Sequence, residues 1–149
     1  MKHLFVSIAL LLSSITALYA QPSVNSGSSE LSVTVKRAYA EGSNVIVDFV
    51  VTSYSPIWVG LDFSESETAV YDDEGNLYEF GKGLYIKCDR DRYLKVERDI
   101  QRKFKLVIAD ADEYASSISL AKIYYVARKE GGDGVKRSFI TIKNIAISR

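Results

Sequence analysis

The feature that most constrains the fold is the alternation of apolar and polar residues in short runs separated by turn residues. The runs Leu31–Val35, Val45–Val51, Ile57–Phe63 and Leu84–Cys88 all follow this pattern. Successive side chains of a strand point to opposite faces, so a period of two indicates half-buried strands. Eight or nine such runs, each bounded by turn signals, predict an all-β domain over residues 31–149, arranged as a two-sheet antiparallel β-sandwich.

The segment Tyr114–Arg128 fits two patterns. Leu120, Ile123, Tyr124 and Ala127 could line a helix, or the segment could be a strand with an irregularity near Ala121. The consecutive β-branched and aromatic residues at positions 123–126 favour the strand.

The first twenty residues have the pattern of a secretory signal. Lys2 and His3 precede a mostly apolar run to Leu18, and Ala20 offers a small residue for cleavage before Gln21. An uncleaved membrane anchor is the alternative, but the run is shorter than the roughly 20 residues that span a bilayer. We therefore expect a secreted or periplasmic protein, with residues 21–30 as a flexible, Ser-rich lead-in.

The inventory of reactive side chains argues against catalysis. The single histidine, His3, lies in the predicted signal, and Cys88 is the only cysteine. A Ser-His-Asp or Cys-His site, a typical zinc site and an intrachain disulfide are therefore not expected. The balanced charge also argues against nucleic-acid binding. We expect no cofactor and no enzymatic activity.

Two acidic segments have the composition of turns, and calcium binding is the alternative because calcium prefers oxygen ligands. The candidate ligands are Asp72, Asp73 and Asn76 in the first segment, and Asp110 and Asp112 in the second. Asp, Asn and Gly are also the ordinary residues of a hairpin turn, and the spacing does not match a calcium-binding loop. The turn is the favoured interpretation, and we predict no metal site.

Aromatic side chains are the best candidates for ligand contacts. Tyrosine and tryptophan anchor protein interfaces and stack on sugar rings. Five lie near turns or on the faces opposite the apolar rows: Tyr54, Trp58, Tyr78, Tyr85 and Tyr93. Packing in the core or across strands is the alternative role for each of them.

Charge is segregated along the chain. Residues 62–79 contain acidic but no basic side chains, and basic side chains predominate in residues 87–105. The segments could form opposite poles that steer a partner. Because cross-strand ion pairs are common, we expect instead that neighbouring strands pair the two sets.

Alternation places Cys88 on the face of Leu84 and Ile86, which predicts that its side chain is buried. A surface thiol that joins two protomers is the alternative.

Three segments together resemble small secreted bacterial β-sandwich domains of immunoglobulin-like, telokin-like architecture. They are the strand Val45–Ser55, the hairpin Ala69–Tyr78 with its D-x-x-G-N-x-Y pattern, and the closing strand Ile140–Ile147. The resemblance implies an immunoglobulin-like sandwich and no catalytic residues. The chain departs from the pattern at Glu97–Lys103, where charged residues replace an expected Gly or Pro turn.

Three functions follow in order of preference. The first is a non-enzymatic binding or accessory domain with a protein or cell-envelope partner. The second is a carbohydrate- or calcium-binding module, and the third is a small hydrolase that uses carboxylates.

Overall fold

The computed structural model describes residues 21–61, 67–88 and 93–149, and these residues form an all-β fold. The predicted signal over residues 1–20 lies outside the described residues, as do positions 62–66 and 89–92. No helix in the described part of the chain is long and apolar enough to cross a membrane.

Eleven strands occur in the described residues, joined mainly by short turns. They are β1 (Ser23–Asn25), β2 (Leu31–Glu41), β3 (Asn44–Ser53), β4 (Ile57–Gly60), β5 (Ala69–Asp72), β6 (Leu77–Phe80), β7 (Gly83–Cys88), β8 (Tyr93–Val96), β9 (Arg102–Ile108), β10 (Ser117–Lys129) and β11 (Val135–Ala146).

The strands form one mixed sheet in the order β1-β11-β10-β5-β6-β7-β9-β3-β2. The second half of β10 pairs with β4, which in turn pairs with β8. All these pairings are antiparallel except the parallel contact between β6 and β7. A parallel bridge between Tyr39 and Ser148 joins the far end of the path to the C-terminal residues, so the sheet is nearly closed, like a barrel.

The core lies inside this curved sheet and is built from the inward positions of nearly every long strand. Phe49 on β3 stacks on Phe104 of β9, with ring centroids 5.5 Å apart. From β10, Ala121, Ile123 and Tyr125 point inward at every second position and are fully buried. The period-two pattern in the sequence therefore corresponds to the buried face of the long strands.

The all-β prediction is confirmed, but the structure has more strands than the eight or nine expected. Ser23–Asn25, inside the segment predicted to be a flexible lead-in, pairs with Thr141–Lys143 of β11. Three exposed residues are too few to show alternation, so composition alone misses this strand. The ambiguous segment forms a strand over Ser117–Lys129, and its register shift lies between Ile118 and Leu120, near the predicted irregularity.

Candidate functional site

Two of the predicted contact residues, Trp58 on β4 and Tyr93 on β8, lie side by side on one outer face. Trp58 is opposite Lys95 and Gly60 is opposite Tyr93, which makes the two aromatic residues diagonal neighbours. Their exposed fractions are 40% and 44%. Diagonal neighbours lie within reach of each other's aromatic side chains. The pair therefore offers two partly exposed rings on adjacent strands.

A groove of about 460 Å³ is lined by both rings, by β10 and by the turn that follows it. Arg128 lies opposite Trp58, and Val126 lies opposite Gly60. Because Gly60 has no side chain, its position adds no bulk beside the rings. Val135 of β11 completes the apolar part of the lining. We call this feature the Trp58 groove.

The cations around the Trp58 groove differ in their partners. Lys95 binds Glu130 at 2.8 Å and Glu97 at 3.0 Å, and these two carboxylates raise the pKa of Lys95 above its ordinary value. Lys129 is paired with a glutamate of the lead-in segment. Arg128 is paired with no carboxylate among the described residues, and its Nε donates to the carbonyl of Gly132 at 3.2 Å. Of the described residues that line the groove, Arg128 is therefore the cation that remains available for a ligand.

The other three candidate aromatics lie elsewhere, so the five do not form one row. Tyr54 follows β3 and is 63% exposed, and Tyr85 lies on the outer face of β7. Tyr78 is half-buried, and its hydroxyl donates to Asp72 Oδ2 at 2.8 Å. Tyr78 thus belongs to a structural network in the turn region.

The two acidic segments meet at one end of the fold, around the buried carboxylate of Asp72. Asp72 Oδ1 accepts a hydrogen bond from the backbone N–H of Asn76 at 2.8 Å, and Oδ2 accepts from Asn76 Nδ2 at 2.9 Å. Asn76 Nδ2 also donates to Asp112 Oδ2, and the backbone N–H of Asp112 donates to the hydroxyl of Tyr78. Gly75 adopts a φ of 88° in this turn, a conformation that favours glycine.

Hydrogen bonding lowers the pKa of both aspartates in the hairpin, Asp72 and Asp73. Burial by itself would raise the pKa of Asp72, but donors from Asn76, Tyr78 and the turn outweigh burial and lower that pKa. Asp73 accepts hydrogen bonds from the backbone N–H groups of Ser116 and Ser117, and its pKa is also lowered despite partial desolvation. Both carboxylates therefore remain ionised and stabilise the turn at neutral pH.

The structure brings four of the five calcium candidates into neighbouring positions, where the carboxylates of Asp72, Asp73 and Asp112 accept protein hydrogen bonds and Asn76 donates through Nδ2. The fifth, Asp110, accepts a hydrogen bond from Ser43 Oγ instead. Within residues 21–61, 67–88 and 93–149, no group of three His, Cys, Asp or Glu side chains could hold a metal ion. The arrangement is that of a hydrogen-bonded hairpin.

A second exposed feature crosses the outer face of β2, β3, β9 and β7. Register places Arg37, Asp48, Lys105 and Lys87 in one transverse row, so that Lys87 and Lys105 stand directly opposite each other. Asp48 Oδ2 binds Arg37 Nε at 2.7 Å, and Asp48 Oδ1 lies 3.9 Å from Lys105 Nζ. Exposed Lys103 follows on the same face of β9. We call this surface the basic face.

An apolar row lies beside the charged row of the basic face. Tyr39, Ile46, Val107 and Tyr85 are successive neighbours across the same four strands. Ile46 and Val107 are 6% and 8% exposed, yet they do not belong to the central core cluster. The basic face thus combines an apolar strip with tyrosines at its two ends and lysines at its margin.

The expectation that neighbouring strands neutralise the segregated charges is wrong for the described residues. No ion pair there joins the acidic segment 67–79 to the basic segment 87–105; Glu67 binds Lys122, and Glu79 binds Lys82. The reason is topological: basic β7 pairs with basic β9.

Cys88 lies on the predicted face of β7, but it is partly buried where burial was predicted. Its side chain packs against the core beside Leu84 and Ile86, which are buried. It is the last residue of β7, and a strand end is covered on fewer sides than a strand centre.

Sequence reasoning missed Arg128 and the Lys87–Lys105 pair. Each is an ordinary charged residue on an alternating strand, and its significance depends on which distant strand lies beside it.

In comparisons with known proteins, no family matches the chain and no curated protein is significantly similar to it.

Proposed function

We propose that this chain is a non-enzymatic, exported binding or accessory domain that docks an acidic protein surface on its basic face. The observation that carries the proposal is the row of Arg37, Asp48, Lys105 and Lys87, in which Asp48 faces Arg37 and Lys105, and Lys87 faces only Lys105 within the row. Like charges directly opposite each other destabilise a sheet. A partner that supplies carboxylates would relieve this repulsion, which gives the arrangement a use in the complex.

The rest of the basic face also suits a protein partner. Protein interfaces combine an apolar centre, enriched in tyrosine and arginine, with a polar rim. Ile46 and Val107 supply an apolar strip, and Tyr39 and Tyr85 flank it. The charges at the margin would increase the association rate with an acidic partner and select against basic ones.

We include in this proposal that the strands form two facing sheets, as in an immunoglobulin-like sandwich. The mixed sheet is held at one seam by two residue pairs between β6 and β7, and at the other by the bridge at Tyr39. Separation at these seams gives one layer built on β2, β3, β9 and β7, and another built on β4, β8, β10 and β11. The basic face and the Trp58 groove would then lie on the outer surfaces of different layers.

The absence of histidine after His3 supports the non-enzymatic part of the proposal. The predicted signal supports export, either to a periplasm or out of the cell.

The test compares Lys87→Glu/Lys103→Glu with the control Lys136→Glu/Lys143→Glu, which changes the net charge equally on exposed positions of β11. The probe is poly-L-glutamate at low ionic strength, followed by capture of partners from the native cell envelope with each variant. We expect the first variant to bind the polymer about tenfold more weakly and to lose the partner that the control retains. Equal behaviour of the two variants would refute the proposal.

A second candidate function, saccharide binding, is favoured by one specific observation. Trp58 and Tyr93 present two partly exposed rings beside a groove, and such rings can stack on the apolar face of a sugar. This function uses a different surface, so the two candidates can be tested separately.

A further inference from the structure

We infer that the Trp58 groove is a binding site for an acidic saccharide, with Arg128 as the residue that selects the sugar's carboxylate. The inference rests on the second candidate function and is independent of the basic face. In this site the rings of Trp58 and Tyr93 stack on the sugar, and the guanidinium of Arg128 binds its carboxylate.

The backbone beneath the groove favours recognition through side chains. β4 pairs with β8 on one side and β10 on the other, and this half of β10 lies between β4 and β11. A peptide that binds by strand addition needs an open strand edge. Since β4 and β10 have both edges paired here, an extended peptide cannot add to them as a further strand. A ring-shaped ligand that lies flat on the two aromatic side chains needs no such edge.

The charges around the groove select an anion. Lys95 and Lys129 are neutralised by glutamates, whereas Arg128 is not. Of the five N–H donors of a guanidinium, Arg128 uses the one on Nε for the carbonyl of Gly132. The four donors on its terminal nitrogens remain for a carboxylate, which a guanidinium can bind through two parallel hydrogen bonds.

The turn after β10 holds this arginine in position. Gly131 adopts a φ of 73°, which brings the chain around so that Gly132 can accept from Arg128. The cross-strand register places Arg128 directly opposite Trp58. A carboxylate bound to Arg128 therefore places the attached ring beside the indole. This juxtaposition fits a uronic acid better than a neutral sugar.

The experiment exploits Trp58 as the only tryptophan of the chain, because its fluorescence reports occupancy of the groove directly. The exported protein is titrated with a tetramer of galacturonic acid, a neutral tetramer of glucose, and a tetrapeptide with a free C-terminal carboxylate. Arg128→Gln is compared with Arg137→Gln, a control on the same face of the sheet that does not line the groove. Calorimetry repeats each titration and extends it to Trp58→Ala.

We expect the uronate tetramer to change the fluorescence in a saturable way and to bind at least about tenfold more tightly than the glucose tetramer. Arg128→Gln should remove the preference for the uronate, and Arg137→Gln should retain it. Trp58→Ala should weaken the binding of both saccharides. Equal binding of acidic and neutral sugars, an unchanged preference in Arg128→Gln, tighter binding of the peptide, or no binding would each overturn the inference. Loss of poly-L-glutamate binding in the basic-face variant has no bearing on these outcomes.

Discussion

Replacement of Asp72 by alanine should destabilise the fold strongly, because its carboxylate organises the turn between β5 and β6. Three hydrogen bonds to the charged group are lost: two from Asn76 and one from the hydroxyl of Tyr78. Asn76 Nδ2 still donates to Asp112, and the Tyr78 hydroxyl still accepts from the backbone N–H of Asp112. The backbone N–H of Asn76 and the O–H of Tyr78 lose their acceptor. A hydrogen bond to a charged group contributes about 1.5–3 kcal/mol, so allowing for the retained partners we expect a loss of about 3 kcal/mol.

Urea unfolding followed by the fluorescence of Trp58 measures this loss. With a slope of about 2 kcal/mol per molar urea, a loss of about 3 kcal/mol lowers the midpoint by about 1.5 M. Asp72→Asn keeps the shape and one acceptor oxygen, so its loss should be smaller. Asp133→Ala is the control, because this aspartate is exposed in a turn and should change stability by less than about 0.5 kcal/mol.

The pH dependence of stability provides an independent test of the role of Asp72. The pKa of Asp72 is lowered in the folded protein, so its ionised form stabilises the fold above the ordinary aspartate pKa. This contribution is lost as the pH falls through the lowered folded-state pKa. The wild-type protein should therefore lose stability on acidification below about pH 4, and Asp72→Ala should lose less. This account of the turn would be refuted if the free energy of unfolding of Asp72→Ala lay within about 0.5 kcal/mol of the wild-type value and its loss of stability at low pH were unchanged.

Four further predictions concern export, metal, the cysteine and the like-charged pair. The exported protein should begin at or within a few residues of Gln21 by N-terminal sequencing, and Met1 on exported soluble protein would contradict this. Calcium should not raise the melting temperature relative to a chelator, whereas a ligand at a hundredfold excess over its Kd would add about 2.7 kcal/mol. Cys88 should react with a thiol reagent more slowly in the native state than in urea, and a reductant-sensitive dimer would show instead that it is a surface thiol. Lys87→Glu should stabilise the fold by about 0.5 kcal/mol in urea melts, because it converts a repulsive pair with Lys105 into an attractive one. A loss of stability would show that the two lysines do not repel each other.

Local features of the fold could be predicted because they depend on residues close together in the chain. The hairpin around Gly75 is an example: Asp, Gly and Asn within five positions specify the turn, and β5 and β6 lie on either side as expected. The choice of strand for residues 117–129 is similar, since β-branched and aromatic residues are consecutive there. In both cases the preference is local and the tertiary structure agrees with it.

Long-range features could not be predicted, because alternation does not specify which distant strands become neighbours. Trp58 and Arg128 are opposite each other only because β4 pairs with the second half of β10. Because the strand pairing could not be predicted, the expectation that the acidic and basic segments neutralise each other was wrong for the described residues. Cys88 illustrates a smaller error of this kind: its face follows from alternation, but its exposure depends on what covers the end of β7.

The two candidate surfaces differ in a way that bears on how each would bind. Among the described residues, Lys129 in the lining of the Trp58 groove and Lys95 beside Trp58 are paired with glutamates and Arg128 is not, so a ligand there meets one directed charge beside two rings. In the charged row of the basic face, Asp48 is the single carboxylate in line with Arg37, Lys105 and Lys87, so the attraction is diffuse and extends across four strands. Diffuse surface charge is screened at physiological salt over about 8 Å. A directed arginine–carboxylate contact depends more on geometry than on long-range attraction. Binding at the basic face should therefore weaken steeply with added salt, and binding in the groove should weaken less.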